Sequence, residues 1–583
     1  MMTSTVCRLA LTVALVSLAG CASEGEEIAP VASPLKTTAA AAAENPDREA
    51  WFGELHIHTT QSFDAFIMGV RTTPEEAYRF ARGETVEFMG QEVTRKRPLD
   101  FMAITDHAEQ MGLGDALIDP DHPLSQTQVG KDIVAGKIPS TELGKISRSN
   151  IGDQLDSASV WQRVVTTANR FNDPGRFTTF IAYEWSSMPN YANLHRNVIY
   201  RGDDAPPPFS ALDSDRPEDL WHFMESNRAR GYENLAIPHN ANSSNGLMYD
   251  WVQSDGRPID EAYAQRRALN EPLSEIAQTK GTSETTPELS PGDRFAEFEL
   301  MRELMLSWVP GKQGGSYVRD ALGRGLVIAD KVKANPYKFG FIGSTDTHSG
   351  LNTVREDEWG GHVSTLAAVV ERDLAARSLM DDDPFFETVR TSAGALAGVW
   401  AESNTRESLF DAMRRRETFA TSGTRIKVRL FGGWDFAQGD INSEGWVRNA
   451  YRTGVPMGGD LPVRNKQSAP RFLVWAARDP DSVGLERAQI VKVWLDAGQH
   501  REKVFDVRVS DRKGGDALIR EVWTDPAFDP DQAAVYYLRV LETESPRWST
   551  LLARRLNLPI PKSVPERIQE RAWSSPIWYS PTT

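Results

Sequence analysis

The sequence predicts an α/β protein with parallel strands, followed by a β-rich, sandwich-like C-terminal module. Three observations carry that expectation. From Trp51 to His348, apolar strand-like runs alternate with stretches of helical spacing, the order of a parallel α/β architecture. His107, Glu184, His239, Asp346 and His348 fall at the C-terminal ends of those runs, the edge that carries the active site in α/β barrels. Beyond residue 424 the texture changes to short alternating strands separated by Gly- and Pro-rich turns, the pattern of a β-sandwich.

The 583 residues are too many for one ordinary domain, so two or three are expected. The formal charge is −16 and no basic patch stands out, which excludes wholesale nucleic-acid binding. Arg414-Arg415-Arg416 is the densest basic run and reads as the solvated end of a helix, where cations suit the dipole.

In chain order, residues 1–20 read as a targeting segment outside the fold. Arg8 precedes the apolar run Leu9–Leu18, which is too short to span a bilayer. Leu18-Ala19-Gly20-Cys21 resembles the box of bacterial lipoproteins, which implies lipid on Cys21. Ala22 after the cysteine implies passage to the outer membrane, facing the periplasm. Cys7 and Cys21 are the only cysteines, so after processing no intramolecular disulfide is expected. Residues 21–48, with the run Ala39–Ala43 and Pro30, Pro34 and Pro46, read as a flexible tether.

The body begins at residue 49. Trp51-Phe52-Gly53 starts a strand that continues into Glu54-Leu55-His56-Ile57-His58. Side chains alternate along a strand, so His56 and His58 share one side. Thr73-Pro74-Glu75-Glu76 is a capping box with Pro at the first helical position, and its helix stops at Gly83. Leu99–Thr105 is an apolar strand ending in Asp106-His107, and a polar insertion spans 109–155. Val160–Phe171 has helical spacing, Phe177–Trp185 is a strand holding Glu184, and Arg196–Tyr200 is a short strand preceded by His195. Pro217 opens a helix closing near Gly231, and Asn234–Pro238 is a strand ended by His239. Tyr317–Lys333 reads as a helix and Phe339–Thr345 as a strand before Asp346-Thr347-His348.

Taken together, His-x-His, Asp-His after a strand, a strand-end Glu, two later histidines and Asp-x-His resemble the PHP (polymerase and histidinol phosphatase) superfamily. The resemblance extends to Lys280-Gly-Thr-Ser-Glu284, Arg416-Glu-Thr-Phe-Ala-Thr-Ser-Gly423 and Trp573-Ser-Ser-Pro-Ile-Trp578, and it points to an extended bacterial branch of unassigned function. It implies a distorted seven-stranded (β/α) barrel over residues 49–424. It also implies two or three divalent metal ions held by His56, His58, Asp64, His107, Glu184, His195, His239, Asp346 and His348.

Imidazole and carboxylate without thiolate suit Zn, Mn or Fe, and a water bridging two such ions is a nucleophile near neutral pH. The expected activity is metal-dependent hydrolysis, first of a small-molecule phosphate ester. Another ester or amide is the alternative within enzymes, and a non-catalytic metal-containing surface lipoprotein the alternative outside them. Asp106 is read as catalytic, or as a partner orienting His107. Lys280, in a polar Gly-containing loop, is read as a contact to a phosphoryl oxygen, with a solvated loop lysine as the alternative. Asn240, Asn242 and Arg71 are candidate substrate contacts.

Past the barrel, Asn404 and Glu407 are expected to cap a helix. In residues 425–583, strands are expected at Arg425–Leu430, Phe472–Ala477, Ile490–Leu495, Val504–Val509 and Ala534–Val540. That module is expected to pack on the barrel, with Trp573, Trp578 and Tyr579 as packing residues.

Overall fold

β1 (Glu49–Glu54) forms where Trp51 and Phe52 favour an extended, half-buried ribbon. Gly53 keeps it close to the next strand, because a Cβ there would collide with Phe101. β2 (Phe101–Ala103), β3 (Thr178–Trp185), β4 (Arg196–Tyr200) and β5 (Asn234–Pro238) follow. β2 lies parallel to both β1 and β3, as a strand–helix alternation requires. β4 departs from that order and runs antiparallel to β3 and to β5.

The computed structural model describes residues 44–135, 137, 155–307, 309–359, 372–380, 388–462 and 468–581. The expected signal segment, Cys21, most of the tether and part of the 109–155 insertion lie outside them. No described helix is long and apolar enough to cross a membrane.

Helices appear where capping chemistry allows. α1 (Phe63–Ile67) is a short turn of helix after β1. α2 (Pro74–Ala81) has the full capping box, with Thr73 and Glu76 each satisfying the other's backbone. The described part of the insertion is folded: α3 (Leu113–Ile118), α4 (Pro123–Gln126) and α5 (Gln128–Val134) pack Leu113, Leu117, Leu124 and Ile133 against Phe66 and Ile67. α6 (Ser157–Phe171), α7 (Pro217–Ala229), α8 (Glu261–Asn270) and α9 (Val318–Val332) cover the strands. α10 (Arg406–Arg414) is capped by Thr405, whose side chain accepts from Ser408 N–H. The expected cap Asn404 instead donates to Asp100 O, because its chain is drawn toward the start of β2. The basic run after α10 is not simply solvated: Arg414 donates to Leu269 O and Asn234 O, and Arg416 to Gly458 O.

β6 (Leu273–Gln278), β7 (Gly281–Thr282) and β8 (Gly340–Gly343) form a sheet of their own, in the order β8–β6–β7. β9 (Leu396–Ala401) runs antiparallel beside β1, and β10 (Thr418–Thr421) antiparallel beside β9. The expected seven-stranded barrel therefore does not close among the described residues. The edge of β8 shows why: Phe341 N–H donates to Ser575 Oγ and Phe341 O accepts from Thr418 Oγ1. Hydroxyls satisfy the polar groups that a closing strand would have paired.

The C-terminal strands divide between the large sheet of β1 and a second layer. They are β11 (Lys427–Gly433), β12 (Val455–Pro456), β13 (Arg471–Ala477), β14 (Leu485–Asp496), β15 (Gln499–Val509), β16 (Leu518–Thr524), β17 (Ala534–Glu542), β18 (Arg571–Ser574) and β19 (Ile577–Tyr579). The large sheet runs β15–β14–β17–β18–β10–β9–β1–β2–β3–β4–β5, with β19 beside β17. It crosses the boundary expected at 424/425 without a break. β12–β11–β13–β16 form a second layer, and Phe472, Val474 and Ala476 meet Tyr536, Leu538 and Val540 between the layers. Trp573 is fully buried, and Trp578 and Tyr579 nearly so, so the tail aromatics serve packing.

One buried carboxyl in this region gives a pH signature. Burial pushes Glu542 up to about 7, against a hydrogen bond from Ser482. A raised carboxyl favours folding fully below its unfolded value of 4.5, and that contribution is lost as pH rises through 7. Glu542→Gln is expected to be more stable than the wild type at pH 8 by about 1–3 kcal/mol, with the difference vanishing near pH 4. Denaturant unfolding at the two pH values checks this.

Candidate metal centre

Two loops meet beyond the end of β1. Asp346 N–H donates to His56 O at 2.8 Å, and His58 N–H donates to Thr347 O at 3.0 Å. This places the two period-two pairs, His56/His58 and Asp346/His348, on adjacent extended segments. Asp346 takes φ +54°, a left-handed conformation uncommon outside glycine and frequent at functional sites. His107 lies past the end of β2 and forms a single parallel bridge with Glu184 near the end of β3. His239 follows β5 directly. His195 precedes β4, and because β4 runs antiparallel its start lies on the edge where β3 and β5 end. Asp64 comes from the first turn of α1. All nine residues expected from the sequence meet at this edge.

Three overlapping groups have potential ligand atoms within 4.8 Å of one another: His58, Asp64, His107 and His348; His56, Glu184 and His239; and His56, His58 and Asp346. Glu184 is the hub. Its Oε2 lies 3.1 Å from both His56 Nε2 and His58 Nε2. Its Oε1 lies 2.5 Å from His195 Nδ1 and 3.3 Å from His239 Nε2. Asp64 Oδ2 reaches His107 Nε2 at 3.1 Å and His348 Nε2 at 3.0 Å. Asp346 Oδ1 lies 3.3 Å from His56 Nε2 and 3.2 Å from His58 Nε2. Asp64 is the most open member at 19% side-chain exposure, whereas His56, His58 and His239 are fully buried, so the open side of the cluster is the Asp64 side.

The rings are held from behind. His58 Nδ1 lies 2.8 Å from Ser62 Oγ, which donates to Asp106 Oδ1 at 2.8 Å. His56 Nδ1 meets Glu275 Oε2 at 3.0 Å, and His107 Nδ1 meets Ser186 Oγ at 2.5 Å. His348 Nδ1 donates to the Asp346 carbonyl at 3.0 Å. Four imidazoles therefore use Nδ1 outward and turn Nε2 toward the carboxylates, the orientation that metal-binding histidines take from their supporting hydrogen bonds. His195 Nε2 and His239 Nδ1 are buried without a hydrogen bond, and buried polar atoms left so call for a partner. Imidazole and carboxylate donors with no thiolate fit a divalent Zn, Mn or Fe ion.

The electrostatics agree. Burial opposes ionisation of Glu184, but the imidazoles of His107, His239 and His195 outweigh it and hold the carboxyl well below its usual range. Asp64 is held down against burial by His107 and His348, and Asp346 by His56 and Lys280. Burial takes His56 down to about 3. It also pulls on His58, yet Asp346 and Glu184 carry that ring up to about 10. Asp64 and Glu184 likewise carry His107 up to about 8 against burial. Three ionised carboxylates thus share a buried space with a neutral His56, and the protons on His58 and His107 are what divalent cations would displace.

Asp106 falls elsewhere than expected. Its Oδ1 accepts from Thr59 N–H and Ser62 Oγ and its Oδ2 from Thr59 Oγ1. Its oxygens are engaged by Thr59 and Ser62. It supports His58 through Ser62 rather than orienting the His107 ring, because the side chain turns back toward the segment after β1. Ser62→Ala is expected to lower metal affinity by about tenfold, as read by competition with a chromophoric chelator.

Lys280 is at the centre but buried, and it pairs with Asp346 Oδ2. Asn242 is occupied by Lys280 O, Met301 O and Ser283 Oγ. Arg71 closes the end of α1 through Phe66 O and Val70 O. Asn240 is buried at φ +49° with neither side-chain polar atom bonded.

Three carboxyl and amide groups escaped the sequence reading. Glu54 accepts from His56 N–H, Thr345 N–H and Asn352 Nδ2, clamping the two ligand loops together; its parity with His56 and His58 was the available signal. Glu275 and Gln278 lie on β6, whose mixed sequence Leu-Ser-Glu-Ile-Ala-Gln is buried throughout and shows no alternation to betray a strand.

Fold and site together define a mixed α/β protein with a large sheet, a β-rich C-terminal region and a candidate metal centre at the sheet edge. The chain belongs to the family described as "protein of unknown function (DUF3604)", which matches residues 45–517 and 511–581. No curated protein matches it. Among solved structures it is similar to a two-domain protein from Bacteroides vulgatus containing a predicted PHP-like metal-dependent phosphoesterase. That match has 8% identity and a TM-score of 0.31, covering 90% of this chain and 96% of that one.

Proposed function

We propose that this protein is a metal-dependent hydrolase of small phosphate esters, carrying two or three divalent ions. The observation that carries the reading is the convergence of six imidazoles and three ionised carboxylates at a buried edge, four of the rings held by Nδ1 so that Nε2 faces the carboxylates. Bound divalent ions would supply Lewis acidity toward a phosphoryl oxygen and lower the pKa of a coordinated water.

The chain's own residues do the rest. His58, Asp64, His107 and His348 would hold one ion; His56, Glu184 and His239, with His195 beside them, would hold another; Asp346 faces both His56 and His58. Glu184, whose two oxygens face different rings, would join the sites. Substrate would approach from the Asp64 side. Residues 1–20 are read as a lipoprotein signal, and lipid on Cys21 would tether the enzyme to the outer membrane facing the periplasm.

The test is metal content of the purified protein, with turnover of p-nitrophenyl phosphate and bis(p-nitrophenyl) phosphate in Mn or Zn. The expected result is at least two ions per chain and turnover that is abolished by chelation and absent in His56→Ala. Two ions with no phosphate turnover would transfer the reading to other ester and amide substrates. Fewer than two ions would overturn it in favour of a binding role.

A further inference from the structure

We infer that the β6–β7 hairpin is the positioning element of this centre: Glu275 sets His56, and Gln278 with Lys280 sets Asp346. The inference rests on the reading above and goes beyond it, because none of the three residues is in the ligand groups.

The Asp346 carboxylate is divided between two tasks. Oδ2 accepts from Gln278 Nε2 at 2.7 Å and pairs with Lys280 Nζ. Oδ1 takes no contact from the hairpin and faces His56 Nε2 at 3.3 Å and His58 Nε2 at 3.2 Å. The carboxylate is therefore presented end-on, by one oxygen, to the space between two imidazoles.

The hairpin fixes that presentation. Gln278 pairs with Gly281 across a two-residue turn, Thr279-Lys280. Gly281 takes φ +99°, and a Cβ there would press on Glu299 O and Met301 N, so the turn depends on glycine. Lys280 N–H donates to Gln278 Oε1 at 2.6 Å, which leaves only Nε2 of that amide to face Asp346. Asn242 Nδ2 holds Lys280 O at 3.1 Å, and Ser392 Oγ holds Gln278 O at 3.0 Å. Three residues earlier on the same buried strand, Glu275 meets His56 Nδ1. One strand that carries no ligand thus orients a ligand from each of the two facing loops. Lys280 is then a positioning residue and not the phosphoryl contact expected from its sequence.

The test uses Glu275→Ala, Gln278→Ala and Lys280→Met in the full chain, with Glu275→Gln and Lys280→Arg as conservative partners. Zn affinity is read by chelator competition, ligand geometry by the absorption of the Co(II)-loaded protein, and folding by the Tm of the metal-stripped protein. Each of the first three variants is expected to bind one ion about 10–100-fold more weakly, with an altered Co(II) spectrum, a lower kcat and a near-normal KM. The conservative partners are expected to recover most of the affinity. If Lys280→Met raises KM and leaves Zn affinity and spectrum unchanged, Lys280 touches substrate and the inference fails. Unchanged affinity and spectra in all variants of a metal-binding wild type overturn this inference alone. A wild type that binds no metal overturns the proposed function as well. If Glu275→Ala or Lys280→Met does not fold, Gln278→Ala carries the test, and its unchanged Zn affinity and Co(II) spectrum overturn the inference.

Discussion

Glu184→Ala is expected to lose metal and all measurable phosphate turnover together. Among the described residues, Glu184 is the one carboxylate whose oxygens face His56, His58, His195 and His239 at once. Removing it takes away the ligand that would join the two sites and leaves several buried imidazoles without a counter-charge. Lewis-acid stabilisation of this kind is worth several kcal/mol, so a loss of about 4 kcal/mol corresponds to roughly a thousandfold in rate. Glu184→Gln keeps the shape without the charge and is expected to lose nearly as much. Elemental analysis and single-turnover kinetics read the two effects. A Glu184→Ala protein with full metal content and turnover within tenfold of wild type would remove Glu184 from the centre.

Arg539→Ala is expected to cause the largest loss of stability. Arg539 and Arg319 are fully buried between Glu284 and Asp293. Arg539 donates to Glu284 at 3.1 and 3.3 Å, to Asp293 at 2.8 Å through two nitrogens, and to Gln489 Oε1. Arg319 adds Glu284, Asp293 and Tyr537 Oη, and Trp573 Nε1 donates to Glu284 Oε2. The network joins β17 and β18 to the segment after β7 and to α9. Breaking a buried pair from one side costs about 3–5 kcal/mol, because the remaining charges stay buried. Glu502→Ala removes a half-exposed partner of Arg319 and is expected to cost less than about 1 kcal/mol. The arginines hold Glu284 down to about 2 against burial. The contribution of Glu284 is therefore complete above its ordinary value of 4.5 and lost as pH falls through 2. Chemical unfolding of the two variants at pH 7 compares them directly, and equal losses would remove the network as the explanation.

Several parts of the site were legible because they depend on local spacing. The period-two pairs His56/His58 and Asp346/His348 announce themselves, since alternation along an extended chain puts both members on one side. His107, Glu184 and His239 announce themselves as polar residues ending apolar runs. His195 was the hard case: it precedes its strand, and only the antiparallel direction of β4 carries it to the same edge. The reverse held for Asp106, whose neighbour His107 suggested a partnership that the turn of the chain toward Ser62 prevents.

The sequence by itself determined the strand-end donor set, the capping of α2, the burial of the C-terminal aromatics and the β-rich texture beyond residue 424. These follow from periodicity, turn chemistry and residue type, which act over a few residues. The tertiary structure alone decided that no closed barrel forms among the described residues, that β14, β15, β17 and β18 extend the large sheet through β10 and β9, and that Glu54, Glu275, Gln278 and Lys280 stand behind the candidate ligands. Those outcomes depend on which distant hydroxyl, carboxylate or strand reaches a buried polar group first. Such pairings join residues hundreds of positions apart, as Phe341 and Ser575 are, and they leave no period in the chain.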